Sequence, residues 1–204
     1  NSLNKNTFEF NETGLKEMFI KNKKNMEFTF EVKTDIFEKT DSTIILVNTQ
    51  LGDDGYSDKS VDLVFEQMGS IYGEVEKKFH HFILSSTVLP GSINTLIDSL
   101  EHYSGKKHLI DFGFTYVPDF VKLGSVIEDF QNPDFFLVGS SNTAEYENAK
   151  MIWSPIHTNS PTSKNLTLEE VEIAKISLNA FIVNKISFAN YLSVLCENIE
   201  NVNV

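Results

Sequence analysis

Five side chains stand where chain order can gather chemistry: Thr49, Thr87, Asp119, Lys175 and Asn179. Asp119 follows Pro118 in "YVPDFVKLGSVIEDFQNPDFFLVGS" (Tyr116 to Ser140), directly after a run rich in β-formers. Proline cannot donate to a strand ladder, so a strand ends there. A carboxylate at a strand end before a helical stretch sits where open α/β sheets bind their ligands. It reads equally as the acidic cap of a helix. Thr49 and Thr87 each end an apolar run, "STIILVNT" and "HFILSST", and take the same position at a sheet edge. The alternative is a hydroxyl satisfied by nearby backbone. Lys175 and Asn179, at i and i+4 on one helix face, are conspicuous in the apolar context "EIAKISLNAF". Otherwise they are a snorkelling lysine and a core asparagine. Cys196, the only thiol, has no cation nearby to lower its pKa and reads as packing. His80 and His81 are adjacent, so a strand would point them to opposite faces, and no metal site is expected.

These residues need elements to position them. "MEFTFEV" (Met26 to Val32) alternates and predicts a strand. Ser42 to Thr49 is a continuous apolar run, suited to a strand buried on both faces. "QLGDDGYSD" reads as loop, and Lys59 to Phe79 as an amphipathic helix carrying Val61, Val64, Phe65 and Met68. "HFILSST" and "KHLIDFGFTY" read as further strands, with Ile93 to Leu100 helical between them. Strand, helix, strand, helix, strand predicts α/β structure with a doubly wound parallel sheet. Then come a short strand "DFFLVGS", a helix "NTAEYENAKMIW" and a polar linker "SPIHTNSPTSKN". From Thr167 to about Ile199 one long helix is expected, because "TLEE" supplies a capping box and no proline follows. Its apolar stripe, Val171, Ala174, Leu178, Phe181, Ala189 and Leu192, is widened by Ile176, Ile182, Val183, Ile186 and Leu195. A helix apolar on most sides must be covered on most sides, so a second subunit is an expected cover.

Composition narrows the function classes. The 204 residues carry a formal charge of −12, with 17 lysines and no arginine, which argues against nucleic-acid binding. No apolar run approaches the roughly 18 residues of a membrane span. One cysteine fits a reducing compartment, and a cytoplasmic location is expected. "NET" at Asn11 and "NLT" at Asn165 match the glycosylation pattern but read as coincidence without a signal peptide. The chain opens "NSLNKN" without methionine, which suggests a cut or processed start.

Four segments in order resemble one family. "ILVNTQLGDDGYSD", "STVLPGS", "YVPDFVKLGSVIEDFQNPDFFLVG" and "EEVEIAKISLNAFIVNKISFANYLSVLCE" are similar to motifs of the UDP-glucose/GDP-mannose dehydrogenases, the nucleotide-sugar dehydrogenases. The resemblance runs over nearly the whole chain. It implies a partial Rossmann-like NAD-binding domain over 1–117, then a substrate-contacting segment and helical dimerisation domain over 118–204. It implies oxidation of the C6 alcohol of a UDP-sugar to a carboxylate with NAD, through a thioester on a cysteine that would lie beyond Val204. On this resemblance the chain is a middle segment, inactive alone, and a homodimer through its long helix. Thr49 and Thr87 then contact the dinucleotide, and Thr87 also helps hold a catalytic water. Asp119 stands where the family has a glutamate that handles this water. Lys175 and Asn179 steady the oxyanion. Departures are Gln50 for a proline, Asp119 for that glutamate, Leu123 for a second glutamate and Tyr191 for another after "SFAN". They leave a rival expectation: a diverged, non-catalytic dimer or scaffold of the same fold.

Overall fold

In the computed structural model, residues 12–52, 55–76, 79–199 and 202 are described. Three strands form the centre: β1 (Ser42–Ile45), β4 (His80–Leu84) and β5 (Phe112–Tyr116). β4 and β5 are buried at every position, which is why they read as unbroken apolar runs. β1 pairs parallel with β4, and β4 parallel with β5, so their carboxyl ends lie along one edge. Helices α1 (Leu15–Asn22) and α2 (Thr34–Lys39) precede β1; between β1 and β4 runs α3 (Lys59–Gly73), and between β4 and β5 runs α4 (Ser92–Ser104). Gly73 lets these helices close, since a Cβ there would stand 2.9 Å from the Ser104 carbonyl oxygen. Their apolar faces and Phe82, Leu84, Phe112, Phe114 and Tyr116 make the main core.

Beyond β5 come α5 (Val126–Gln131), β6 (Phe135–Ser140), α6 (Thr143–Trp153) and β7 (Thr162–Leu166). They extend the sheet to the order β1-β4-β5-β6-β7. The doubly wound α/β expectation holds, with one amendment: β6 runs antiparallel to β5, so the sheet is mixed. The six-residue α5 is too short for the helical crossover that returns a chain in parallel. β5 and β6 pair only at Thr115–Ser140 and Tyr116–Gly139. The amide of Phe114 instead donates to Glu145 Oε1 of α6 at 2.7 Å. Glu145 also accepts from Ser141 N and meets His108 Nε2 at 3.1 Å.

Several local expectations are corrected. Met26 to Val32 forms no strand: the segment is irregular and pairs with nothing among the described residues, and its Phe30 is 88% exposed. Alternation without a partner ladder does not make a strand. Where a loop was expected, β2 (Gln50–Gly52) and β3 (Gly55–Ser57) pair as a hairpin, residues 53 and 54 lying outside the described residues. The helix expected to reach Phe79 ends at Gly73; residues 77 and 78 lie outside the described residues. The third strand begins only at Phe112, because turns that include Leu109 at φ 65 occupy the preceding residues. The polar linker hides β7, which pairs parallel with β6. Asn11 lies outside the described residues, whereas Asn165 sits in β7 and accepts from Ser140 Oγ at 2.7 Å.

The long helix forms as expected: α7 (Leu168–Glu197) opens on Thr167 with a complete capping box to Glu170. Gly139 of β6 admits its first turn, because a Cβ there would lie 3.1 Å from the Leu168 Cα. Leu168, Val171, Glu172 and Lys175 are buried. From Phe181 onward the helix leaves the body, and Phe181, Val183, Ile186, Phe188, Tyr191 and Val194 are exposed.

Candidate active site

The carboxyl ends of β1, β4 and β5 are laced together just beyond the strands. Ser85 N donates to Ile45 O at 2.9 Å and Val117 N to Leu84 O at 2.8 Å. The Ser86 hydroxyl accepts from Val47 N and donates to Val47 O, at 2.7 and 2.8 Å. Ser85 Oγ donates to Val117 O at 2.8 Å. Thr49 therefore follows one knot by two residues, Thr87 follows Ser86 directly, and Asp119 follows Val117 by two. Both threonines are half-buried, and neither side chain makes a hydrogen bond among the described residues.

The first two turns of α7 lie against this edge. Lys175, 8% exposed, donates its Nζ to the carbonyl oxygen of Asp119 and stands 4.7 Å over the Phe120 ring. Burial pushes the Asp119 carboxyl up to about 6, against the opposing pull of the Lys175 charge. Burial likewise pushes Lys175 down, while Asp119 holds it up. Each thus tempers a desolvation that disfavours its charged form. One turn on, Asn179 lines a cavity of about 430 Å³ with Phe120, Val121, Pro133, Leu178 and Ile182. So Lys175 and the Asp119 segment meet directly, and Asn179 shares a cavity with the next residue, Phe120. Thr49 and Thr87 share the sheet edge without a hydrogen bond to that pair.

Leu123 projects from a tight turn closed by Ser125 N to Lys122 O at 3.1 Å, with Gly124 at φ 94. At 97% exposed, it offers the site no carboxylate. Cys196 is a half-buried free thiol far along α7. His80 meets Thr43 Oγ1 at 2.8 Å and His81 meets Thr115 Oγ1 at 3.3 Å. Among the described residues no group of three or more His, Cys, Asp or Glu side chains could hold a metal ion.

Sequence reasoning passed over Ser86, which knots two strand tips, and Glu172, whose carboxylate accepts Gly91 N and Ile93 N at 2.7 and 2.8 Å. Glu172 looks no different in sequence from the surface acids Glu169 and Glu170. The Tyr116 hydroxyl carries no such signal either: it is enclosed at this edge, with the Val88 backbone beside it.

Fold and edge together define an α/β protein with a dinucleotide-type ligand edge. The chemistry of this edge fits a dinucleotide: the Thr49 and Thr87 hydroxyls, four and three residues past β1 and β4, make no hydrogen bond among the described residues. Residues 1–157 match the family model described as UDP-glucose/GDP-mannose dehydrogenase family, NAD binding domain. The chain belongs to that family, and NAD is the cofactor of the matched domain. Its relatives include the UDP-glucose 6-dehydrogenase of Rickettsia bellii, 28% identical over 199 residues, covering 97% of this chain and 44% of that protein. UDP-glucose 6-dehydrogenase 1 of Glycine max is 30% identical over 179 residues, covering 85% and 36%. Among solved structures, a ternary complex of GDP-mannose dehydrogenase from Pseudomonas aeruginosa superposes with a TM-score of 0.87 at 23% identity, covering 96% of this chain and 45% of that one. The chain thus spans less than half the length of these relatives. No helix among the described residues is long and apolar enough to cross a membrane.

Proposed function

We propose that this chain is the segment of an NAD-dependent nucleotide-sugar dehydrogenase that carries the hydrolytic carboxylate and the oxyanion donors. The whole protein would oxidise the C6 alcohol of a UDP-sugar, of the UDP-glucose type, to a carboxylate. The observation that carries this reading is the pairing of buried Lys175 with the Asp119 segment at the carboxyl edge of the sheet. NAD, when bound, takes up the electrons leaving the alcohol carbon as hydride. Residues 1–117 serve the dinucleotide side through Thr49 and Thr87, and residues 118–204 serve the sugar side and the dimer.

Lys175 can present its ammonium to an alkoxide developing at C6, and Asn179 its amide from the next turn. Donors fixed before reaction are worth about 3–4 kcal/mol each in such roles. Asp119, with a pKa of about 6, is poised to take a proton from the water that cleaves an acyl intermediate. Thr87 would orient that water. Aspartate reaches about 1.2–1.5 Å less than glutamate, so the water must sit closer to the Asp119 turn. The reading carries with it a cytoplasmic location and a place in polysaccharide biosynthesis.

A homodimer belongs to the same reading, with a second copy covering the exposed apolar half of α7 in an isologous pair. The exposed Leu123 favours the rival scaffold reading, since it gives the cofactor side no charge. Calorimetric titration with UDP-glucose separates the two. The enzyme reading predicts binding by the wild-type chain, weakened at least tenfold, about 1.4 kcal/mol, by Lys175→Ala. No binding favours the scaffold. NAD reduction by this chain alone with UDP-glucose is expected to be absent; turnover would mean another nucleophile acts.

A further inference from the structure

Glu172 takes no part in the chemistry above, yet it is almost wholly enclosed, at 1% exposed. It precedes Lys175 by three residues, so the two share one face of α7 a turn apart. Its Oε2 accepts the Gly91 amide at 2.7 Å and its Oε1 the Ile93 amide at 2.8 Å. Gly91, at φ 92, is the residue that starts α4, so these belong to the amides a helix start leaves without internal partners. A carboxylate at that place also meets the positive end of the helix dipole.

The segment from Ser85 to Gly91 that carries Thr87 is therefore gripped at both ends. Ser86 ties its beginning to Val47 of the neighbouring strand tip, and Glu172 ties its end to α7. On the opposite side Asp58 Oδ2 accepts from Ser92 Oγ and, at 3.4 Å, from Leu89 N. The other anchors of α7 are Leu168 and Val171 in the core, its first turn on Gly139 and Lys175 on the Asp119 carbonyl, and most of the helix beyond them is exposed. The remaining polar tie from α7 to α4 among the described residues is an exposed one, Asn94 Nδ2 to Glu169 Oε1 at 3.0 Å. The enclosed Tyr116 hydroxyl, beside the Val88 backbone, feels the charges of Glu172, Asp58 and Asp119.

We propose that Glu172 is a positioning residue that clamps the Thr87 loop to the Lys175–Asn179 helix, so that the dinucleotide and nucleotide-sugar sides of the site sense each other through it. The proposal rests on the dehydrogenase reading above. A ligand that draws the Thr87 loop inward must draw Gly91, and with it the turn of α7 that carries Lys175. Coupling of this kind is reciprocal: NAD alters the affinity for the sugar nucleotide by the factor that the sugar nucleotide alters the affinity for NAD. It travels along a contiguous bonded path, here Thr87, Gly91, Glu172 and Lys175.

The test uses the full chain and two variants. Glu172→Gln keeps the volume but sets an NH2 group against one of the two amide donors. Glu172→Asp keeps both oxygens and withdraws them by about 1.2–1.5 Å. UDP-glucose is titrated with and without saturating NAD. The wild type should show dissociation constants differing at least about fivefold between the two conditions. In both variants, still folded by a cooperative thermal transition, the ratio should fall below about twofold by the same linkage. A variant ratio equal to the wild type overturns the proposal, and so does a wild-type ratio of one. If the wild type binds no UDP-glucose, the dehydrogenase reading falls, and amide exchange then judges the clamp by itself. Faster exchange in Glu172→Gln at both Thr87–Val88 and Lys175–Asn179 supports it; faster exchange confined to Gly91 and Ile93 overturns it.

Discussion

Asp119 and Lys175 are charged groups held in a setting that disfavours both charges. The Asp119 carboxyl, raised by burial from 3.8 to about 6, binds a proton in the folded chain that the unfolded chain has already released. Its contribution to stability is therefore favourable at low pH and is lost as pH rises from about 4 through about 6. Two measurements follow at this scale. The Asp119 side-chain carbon, followed by NMR, should titrate near pH 6, and Lys175→Met should move that midpoint higher by removing the one charge that lowers it. Relative to Asp119→Asn, the wild type should lose melting temperature as pH climbs from 4 to 6. A titration near pH 4 would mean that the carboxylate is well solvated. Sequence pattern pointed to Asp119, Lys175 and Asn179 because a carboxylate after a strand-ending proline and a polar pair on an apolar helix stand out locally. Glu172 and Ser86 do not stand out, since their partners are 39 to 81 residues away and only folding brings them near.

At the scale of elements, α7 is positioned by its first turn against β6, and Gly139 makes that contact possible. Gly139→Val would thrust a branched side chain toward Leu168 Cα and the Thr167 carbonyl. Overpacking of this kind costs about 1–3 kcal/mol. The variant should melt lower and also lose UDP-glucose affinity, because α7 must tilt and take Lys175 with it. Unchanged melting would show that the contact is slack. Periodicity made α3, α4, β4, β5 and α7 legible, since each either buries a continuous run or a helical stripe, or carries a capping box. It could not reveal β7, whose "TSKNL" is polar and becomes a strand only by pairing with β6. Nor could it reveal the reversal at β5–β6, which depends on how a short α5 turns the chain. Met26 to Val32 failed in the opposite sense: the pattern is there, and no partner strand lies among the described residues.

For the molecule as a whole, the apolar half of α7 is the surface most in need of a cover. Light scattering should give twice the chain mass, and Phe188→Lys with Val194→Lys should return it to the monomer by placing charges in the shared face. A wild-type monomer at working concentrations would remove the dimer. The family of the chain supplies NAD as the cofactor of the matched domain. The proposed function requires that the sheet edge and α7 form one ligand site. Titrating UDP-glucose into the 15N-labelled chain tests this most directly. Shifts should concentrate at residues 119–122 and 175–179, with residues 87–88 joining them once NAD is added. Shifts scattered over other surfaces, or none at millimolar ligand, would contradict it.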